Sequence, residues 1–388
     1  MRFSKKMSRL GTETAFEVLA AARALEAQGR DVVHLEIGEP DFDTPANIVD
    51  AAVRALRDGQ THYTPAAGIP DLRRAIANEV SATRGIEVDP AQVVVVPGGK
   101  PIMYFVITAL VEEGDEVVYP NPGFPIYESM IKFAGGTPVP MPLLQANQFR
   151  LDTTELESLV TDRTRLIILN SPANPTGGVL TRGDLEAVAR VVRDRDVVIL
   201  ADEIYGRIIY EGEFSSISSL PGMAEKTVIL DGFSKTYAMT GWRLGYGVMP
   251  VALAEHVTRL QINSNSCTSA HTQWAGVEAL TGPQDAVGEM VAAFRQRRDV
   301  IVDGLNNIPG IRCLKPSGAF YVFPDITGTG LTSKQMETYL LNDAGVATLA
   351  GTSFGAYGEG HIRLSYANSV ANIEKALRRI RKALAGRA

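Results

Sequence analysis

Short apolar runs alternate with helical periods between about residue 90 and residue 250. Continuous runs rich in β-branched residues are typical of strands buried on both faces, and helices between such strands favour parallel pairing. The pattern therefore predicts a large, doubly wound, mostly parallel α/β domain. Its predicted strands are "VVVV" (93–96), "EVVYP" (116–120), "RLIILN" (165–170), "VVILA" (197–201), "TVILD" (227–231) and "GYGVM" (245–249).

The pattern changes after about residue 285. A long helical stretch, "RQRRDVIVDGLNNI", precedes a predicted strand at 318–323, a helix around 332–343, a strand at 361–366 and a terminal helix, "VANIEKALRRIRKAL". Strands and helices in this mixture predict a smaller α+β domain. We expect a large domain at residues 41–284, a small domain at 285–388, and an N-terminal segment, residues 1–40, that packs with the small domain.

Composition and charge narrow the function classes. The 388 residues are 45% hydrophobic and 21% charged, and the formal charge of -6 is spread along the chain. No basic block indicates a nucleic acid or a membrane surface as partner, and no apolar run approaches the ~20 residues that span a bilayer. The basic start is followed by an amphipathic stretch and not by the apolar core of a signal peptide, so we expect a cytoplasmic protein. Two cysteines and five scattered histidines predict neither a disulfide framework nor a metal site.

Polar residues follow four of the predicted strands, where ligands of doubly wound sheets bind. Gly98, Gly99 and Lys100 follow the first strand and open a helical stretch. Glycines at such a turn expose backbone N–H groups to an anion, and Lys100 could add positive charge. A simple turn is the commoner explanation of a glycine pair by itself.

Two further turns carry an amide and a carboxylate. Asn174, in "SPANPTGG" (171–178), presents a neutral donor, although turn propensity alone explains Pro175 and Gly177. Asp202 ends a strand predicted to be buried, and a buried charge needs a partner, either an arginine or a ligand. Tyr205 lies beside this carboxylate if a helical turn follows.

The fourth turn contains Lys235, in "LDGFSKTYAMTGWRLGY" (230–246). A lysine after a strand is most often solvated. The residues after it have little polar composition and lead directly into the next strand, which instead favours a pocket.

Pyridoxal phosphate needs a group from each of these turns. It requires an amine for a Schiff base, a carboxylate against its ring nitrogen, donors to its ring oxygen, and a cradle for its phosphate. Matching groups occur in the same order, with no need for a metal: Lys235, Asp202, Asn174 with Tyr205, and Gly99 with Ser234 and Arg243.

The ordered motifs "NPTG", "DEIY", "SKTYAMTGWRLGY" and "RLSY" resemble those of the class I/II aminotransferases, the aspartate-aminotransferase-like group of fold-type I pyridoxal-phosphate enzymes. The similarity includes "GEPDFDTP" (38–45), "YTPAAGIPDLR" (63–73), "NPGFPIY" (121–127) and "PSGAFYVF" (316–323). The resemblance implies a homodimer that moves an amino group between an L-amino acid and a 2-oxo acid in two half-reactions.

The resemblance also implies a role for each site residue. Lys235 would form the Schiff base and move the substrate proton, and Asp202 would pair with the ring nitrogen. Tyr205 and Asn174 would contact the ring hydroxyl. Ser234, Arg243 and the backbone around Gly99 would hold the phosphate, with Lys100 beside it. The remaining roles are stacking on the ring by Phe124, binding of the partner subunit's phosphate by Tyr63, and binding of the substrate α-carboxylate by Arg363 near Gly38.

Two other functions remain open at this point. The cofactor residues suit a same-fold C–S β-lyase equally well, because they do not fix which bond at Cα breaks. A pyridoxal-phosphate-binding regulator without turnover is less expected, since only about 10 residues precede the first helix. The amino donor also stays open, as does the question of whether Lys100 or Arg259 contacts its side chain.

Overall fold

A computed structural model describes residues 1–386. Its largest sheet has seven strands in the order β2-β8-β7-β6-β5-β3-β4, and only β8 runs antiparallel to its neighbours. This confirms the predicted α/β class and all six predicted strands of the large sheet. The strands are β1 Val33–His34, β2 Val93–Val96, β3 Glu116–Asn121, β4 Thr137–Pro142, β5 Thr164–Asn170, β6 Val198–Asp202, β7 Thr227–Gly232, β8 Gly245–Val248, β9 Tyr321–Val322, β10 Val346–Ala347, β11 Leu349–Ala350 and β12 Ile362–Ser365.

Helices cover both faces of this sheet, so its central strands are buried almost completely. Helices α4, α5 and α8 form an apolar core on one face, while α2, α3 and α9 pack on the other beside α6 and α7. The helices are α1 Thr14–Glu26, α2 Ala46–Arg57, α3 Pro70–Arg84, α4 Lys100–Leu110, α5 Ile126–Ala134, α6 Thr153–Leu159, α7 Arg182–Val192, α8 Val251–Asn265, α9 Ala270–Thr281, α10 Asp285–Asn306, α11 Ser333–Tyr339 and α12 Val370–Ala385.

Two smaller sheets lie in the C-terminal part of the chain. Strands β11, β12 and β9 pair antiparallel, and β1 from the N-terminal segment pairs parallel with β10. Helices α10 and α12 pack together in the apolar core that includes β9 and β12. The N-terminal segment thus contributes a strand beside the last quarter of the chain; the boundaries at 40 and 284 stay predictions.

Local differences from the predicted elements have physical causes. Strand β4, "TPVPMP", was not predicted, because its three prolines are unusual in a strand. It is an edge strand, where a missing N–H is tolerated. The predicted strand at 318–323 shortens to β9, because Ala319 adopts a left-handed φ of 56°. The predicted helix at 332–343 divides into α11 and a π-helical turn, Leu340–Ala344.

No helix in the described part of the chain, residues 1–386, is both long and apolar enough to cross a membrane.

Candidate active site

A cavity of about 510 Å³ lies beyond the carboxyl ends of β2, β5, β6 and β7. The N-terminal segment and strand β12 close its other sides. Every predicted site residue except Tyr63 lines it, so the fold brings together side chains that are far apart in sequence. They are Gly38, Gly99, Lys100, Phe124, Asn174, Asp202, Tyr205, Ser234, Lys235, Arg243 and Arg363.

Asp202 ends β6 as a buried carboxylate at the wall of this cavity. The Tyr127 hydroxyl donates a hydrogen bond to its Oδ2 at 2.5 Å, and the Ile204 N–H donates to Oδ1 at 3.3 Å. Among residues 1–386 no cation forms an ion pair with Asp202, so the arginine alternative is excluded there. Burial raises the pKa of Asp202 to about 6, although the Tyr127 and Ile204 hydrogen bonds oppose this. The site therefore holds a carboxylate that lacks a positive partner.

Lys235 lies in the turn after β7, and its ammonium group donates to the Gly38 carbonyl. The alternative of a solvated surface lysine is wrong. Burial lowers the pKa of Lys235 to about 8; Glu39 opposes the shift, while the positive charges of Arg363, Lys100 and Arg243 add to it. An amine of this pKa is partly uncharged near neutral pH, which a nucleophile or a base requires.

The turn that begins α4 lies close to Arg243, and glycines leave room for this close contact. Gly98 has a φ of +84°, and a methyl group there would lie 2.1 Å from Arg243 Nη2. A methyl group on Gly245 would lie 2.6 Å from Gly99 N. The first amides of α4 receive no side-chain cap, and Ser234 lines the same space. Uncapped amides at a helix N-terminus together with a guanidinium form a site suited to a phosphate.

Arg363 projects from β12 and is 4% exposed. Its Nη1 donates to Asn174 Oδ1 at 2.9 Å and its Nη2 donates to the Glu36 carbonyl, but its Nε has no partner. The guanidinium also stacks on Tyr321, 4.5 Å from the ring centre. Since a buried N–H without a partner is costly, this donor is suited to an acceptor from a ligand.

Three aromatic side chains of the site were not predicted. Tyr127 bonds to Asp202, Tyr321 donates to or accepts from the Tyr205 hydroxyl at 2.7 Å, and Phe354 stacks on Arg363. Their sequence signal was present in part, because Tyr127 ends "NPGFPIY" and Tyr321 lies in "PSGAFYVF". Because their neighbours in sequence are apolar, such aromatic residues are easily taken for residues of the hydrophobic core. Tyr321 also explains Gly38, where a methyl group would lie 2.0 Å from the tyrosine oxygen.

Lys100 and Phe124 lie together at the cavity wall. The Lys100 ammonium is 5.3 Å from the centre of the Phe124 ring and pairs with the Glu13 carboxylate, which comes from the N-terminal segment. Phe124 meets Tyr127 edge to face at 5.6 Å. Tyr63 is 90% exposed and lies outside the cavity, as does the exposed Arg259.

These groups match the donor set that pyridoxal phosphate requires: a buried unpaired carboxylate, an amine of lowered pKa and a phosphate cradle. The family model for aminotransferase class I and II matches residues 30–380. The chain belongs to the class I and II aminotransferases. It is therefore a pyridoxal-phosphate-dependent enzyme of fold type I that transfers amino groups, and the C–S β-lyase alternative is not favoured.

Curated relatives and solved structures agree with this membership. The aminotransferase is 42% identical to an aspartate aminotransferase of Pyrococcus abyssi over 92% of each chain, and 38% identical to one of Geobacillus stearothermophilus over both full chains. It is 41% identical to an aromatic-amino-acid aminotransferase of Thermococcus litoralis, covering 92% of this chain and 93% of that one. A solved aspartate aminotransferase of Thermus thermophilus with maleate superposes with a TM-score of 0.95 at 38% identity, over 99% of this chain and 100% of that one.

Proposed function

We propose that this aminotransferase holds pyridoxal phosphate in the cavity, with Asp202 against the ring nitrogen and Lys235 at the reacting carbon. The unpaired, buried carboxylate of Asp202 in the same cavity as Lys235 is the observation that carries the proposal. When bound, the cofactor supplies a carbonyl carbon that accepts the amino group and a ring that withdraws electrons from the substrate Cα. An ionised Asp202 keeps a proton on the ring nitrogen, because opposite charges in a buried site favour each other.

Lys235 moves the proton in this proposal. Nζ would hold the cofactor at its carbonyl carbon, and once released by the incoming amine it would be a free base beside the substrate Cα. The lowered pKa of about 8 lets Nζ take the Cα proton and hand it on at neutral pH. The Gly38 carbonyl, which accepts a hydrogen bond from Nζ, limits how far the side chain can swing.

Other side chains bind and orient. Arg243, Ser234 and the amides that follow Gly99 hold the phosphate. Asn174 and Tyr205 contact the ring hydroxyl, while Phe124 covers the ring face. Three of them are already held in the fold: Asn174 accepts from Arg363, Tyr205 bonds to Tyr321 and Phe124 packs against Tyr127, so these side chains lose little freedom on binding.

Arg363 binds the α-carboxylate that all amino-acid substrates share. Its Nε lacks a partner, and Asn174 and the Glu36 carbonyl hold the two Nη atoms in place. A planar guanidinium binds a carboxylate through two parallel hydrogen bonds. The Cα of the substrate is thereby held in one orientation toward Lys235.

Replacing Lys235 with alanine tests this assignment. The purified Lys235→Ala protein should lose at least about a thousandfold in glutamate-to-2-oxo-acid transamination, because it has neither the Schiff-base amine nor the Cα base. The visible absorbance of the bound cofactor should change in the same variant. Wild-type transamination by Lys235→Ala would refute the role of Lys235, and release of pyruvate and ammonia from a β-substituted amino acid by the native enzyme would favour the lyase.

For the substrate we propose an acidic amino acid. Lys100 is a half-exposed cation in the cavity, and its pairing with Glu13 is the type of contact that a substrate side-chain carboxylate would make. Several relatives are named aspartate aminotransferases, which agrees with a cation at this place. Arg259 does not line the cavity, so it does not meet a bound substrate within one chain.

The variant Lys100→Met tests the substrate class. It should raise the KM for aspartate and glutamate about tenfold or more and change the KM for alanine and phenylalanine less than about twofold, because only acidic substrates have a second carboxylate. Arg259→Met is the matched control and should resemble the wild type. An equal rise for all four substrates would instead place Lys100 in cofactor binding, and an effect confined to Arg259→Met would reverse the assignment.

We also propose a homodimer in which Tyr63 reaches the phosphate of the partner subunit. Tyr63 is exposed within one chain and does not line its own cavity. Helix α2 adds an exposed apolar stripe of Val49, Val53 and Leu56, spaced so that they share one face. A second copy would cover this surface. A cytoplasmic location stays a prediction.

Tyr63→Phe should leave the mass of the dimer unchanged and weaken pyridoxal phosphate binding about three- to tenfold, because one phosphate hydrogen bond is lost. Sedimentation gives the mass, and titration of the cofactor-free protein gives the affinity. A single-chain mass for the wild type contradicts the dimer, while unchanged affinity in a dimeric Tyr63→Phe protein contradicts only the contact made by Tyr63.

A further inference from the structure

A second group of buried charges lies behind Asp202, on the opposite face of the sheet from the cavity. Arg84, the last residue of α3, is 6% exposed and pairs with two carboxylates. Its Nε donates to Glu203 Oε2 at 3.0 Å and its Nη2 donates to Asp231 Oδ2 at 2.8 Å. Glu203 and Asp231 are 3% and 7% exposed. None of these three residues lines the cavity or has a role in the proposed chemistry.

Strand geometry places this cluster close to Asp202. Asp202 is in register with Leu230, and both line the cavity. Glu203 directly follows Asp202, and Asp231 directly follows Leu230. Because successive residues of a strand point to opposite faces, the two carboxylates turn away from the cavity and toward α3. Only the backbone of two adjacent strand ends separates them from Asp202.

The cluster balances part of the negative charge at this end of the strands. Asp202, Glu203 and Asp231 are three acids, and Arg84 is the guanidinium that pairs with the last two. The charges of Asp231 and Glu203 each raise the pKa of Asp202, after the larger effect of burial. Tyr127 and the Ile204 N–H act in the opposite direction from α5 and from the turn. The phenol of Tyr205, also buried, is the other titratable group whose charge couples to Asp202.

We propose that Arg84 is a positioning residue for cofactor binding: by pairing with Glu203 and Asp231 on the far face of the sheet, it offsets part of their negative field at Asp202, which stays ionised and free for the ring nitrogen. Arg84 touches neither cofactor nor substrate and acts through Asp202. The inference rests on the proposed role of Asp202.

Affinity for pyridoxal phosphate, measured on cofactor-free protein between about pH 5 and pH 8.5, tests this inference. Arg84→Met leaves the carboxylates of Glu203 and Asp231 without their cation. The pH below which the affinity for pyridoxal phosphate falls should therefore rise by about half a unit to one unit, and the affinity near that pH should be about three- to tenfold weaker. Asp231→Asn removes one carboxylate and should move the same pH downward. The double variant Arg84→Met/Asp231→Asn restores the net charge and should return close to the wild-type midpoint.

Rescue by the double variant separates a charge effect from a structural one, because that protein still lacks the guanidinium hydrogen bonds. Glu116→Gln is the matched control: Glu116 is a buried, ion-paired carboxylate at the first residue of β3, at the amino end of that strand, whereas the cavity lies at the carboxyl ends, and its replacement should leave the midpoint unchanged. The inference is overturned if the midpoint pH of the affinity curve is the same in the wild type, Asp231→Asn and Glu203→Gln, whether or not Arg84→Met folds. A shift in Glu116→Gln as large as that in Asp231→Asn would also overturn it.

The variant Asp202→Asn distinguishes failure of the inference from failure of the proposed function. It should lose the step in affinity near pH 6, since the group that titrates there is gone, and keep any step near pH 8 that belongs to Lys235. If Asp202→Asn keeps the wild-type pH profile and affinity, Asp202 does not bind the ring and the proposed function fails. If Asp202→Asn loses the step but the charge variants do not move it, only the role of Arg84 fails.

Discussion

The site depends on one constraint, which is that the carboxylate of Asp202 is buried at a strand end without a positive partner from the described chain. Burial of such a charge is unfavourable, and the Tyr127 hydroxyl and the Ile204 N–H compensate only in part. The fold accepts this cost at the edge of the sheet where the cavity lies. A cofactor with a protonated ring nitrogen would supply the missing charge, which links the stability of the fold to the occupancy of its site.

Two buried arginines illustrate the difference between a structural ion pair and a binding group. Arg84 is paired with Glu203 and Asp231, stacks near Phe214 and is 6% exposed. Arg363 is as deeply buried, yet its guanidinium donates only to neutral acceptors and its Nε has no partner. Residue type and burial alone do not separate them. The partners do, because a guanidinium without an ion-paired carboxylate among the described residues is the one that can bind a substrate carboxylate.

Sequence could predict the parts of the site that are encoded locally. Strand ends are visible as β-branched runs that stop at a polar residue, and this led to Asp202, Asn174 and Lys235. The resemblance to a family added Arg363 and Gly38.

What sequence could not predict depends on contacts between distant segments: Tyr127 reaches Asp202 from α5, and Tyr321 fills the space that Gly38 leaves. In both cases the aromatic residue looks like ordinary core until the fold shows what its hydroxyl meets. The edge strand β4 was hidden for a related reason, because its prolines are acceptable only where no neighbour needs their N–H groups.

The free energy of unfolding of the cofactor-free protein between about pH 4 and pH 8 tests the unpaired state of Asp202 most directly, with Asp202→Asn as the comparison. The ordinary pKa of this carboxyl is 3.8 and burial raises it to about 6 in the native state, so between these two values the native state keeps a proton that the unfolded state has released. Stability contributed by the protonated group is therefore present at low pH and lost as the pH rises through about 6. The wild type should lose roughly 3 kcal/mol relative to Asp202→Asn across this range, and saturating pyridoxal phosphate should reduce the loss. Parallel stability curves for the two proteins would contradict the account, because they would show that Asp202 already has its counter-charge within the chain.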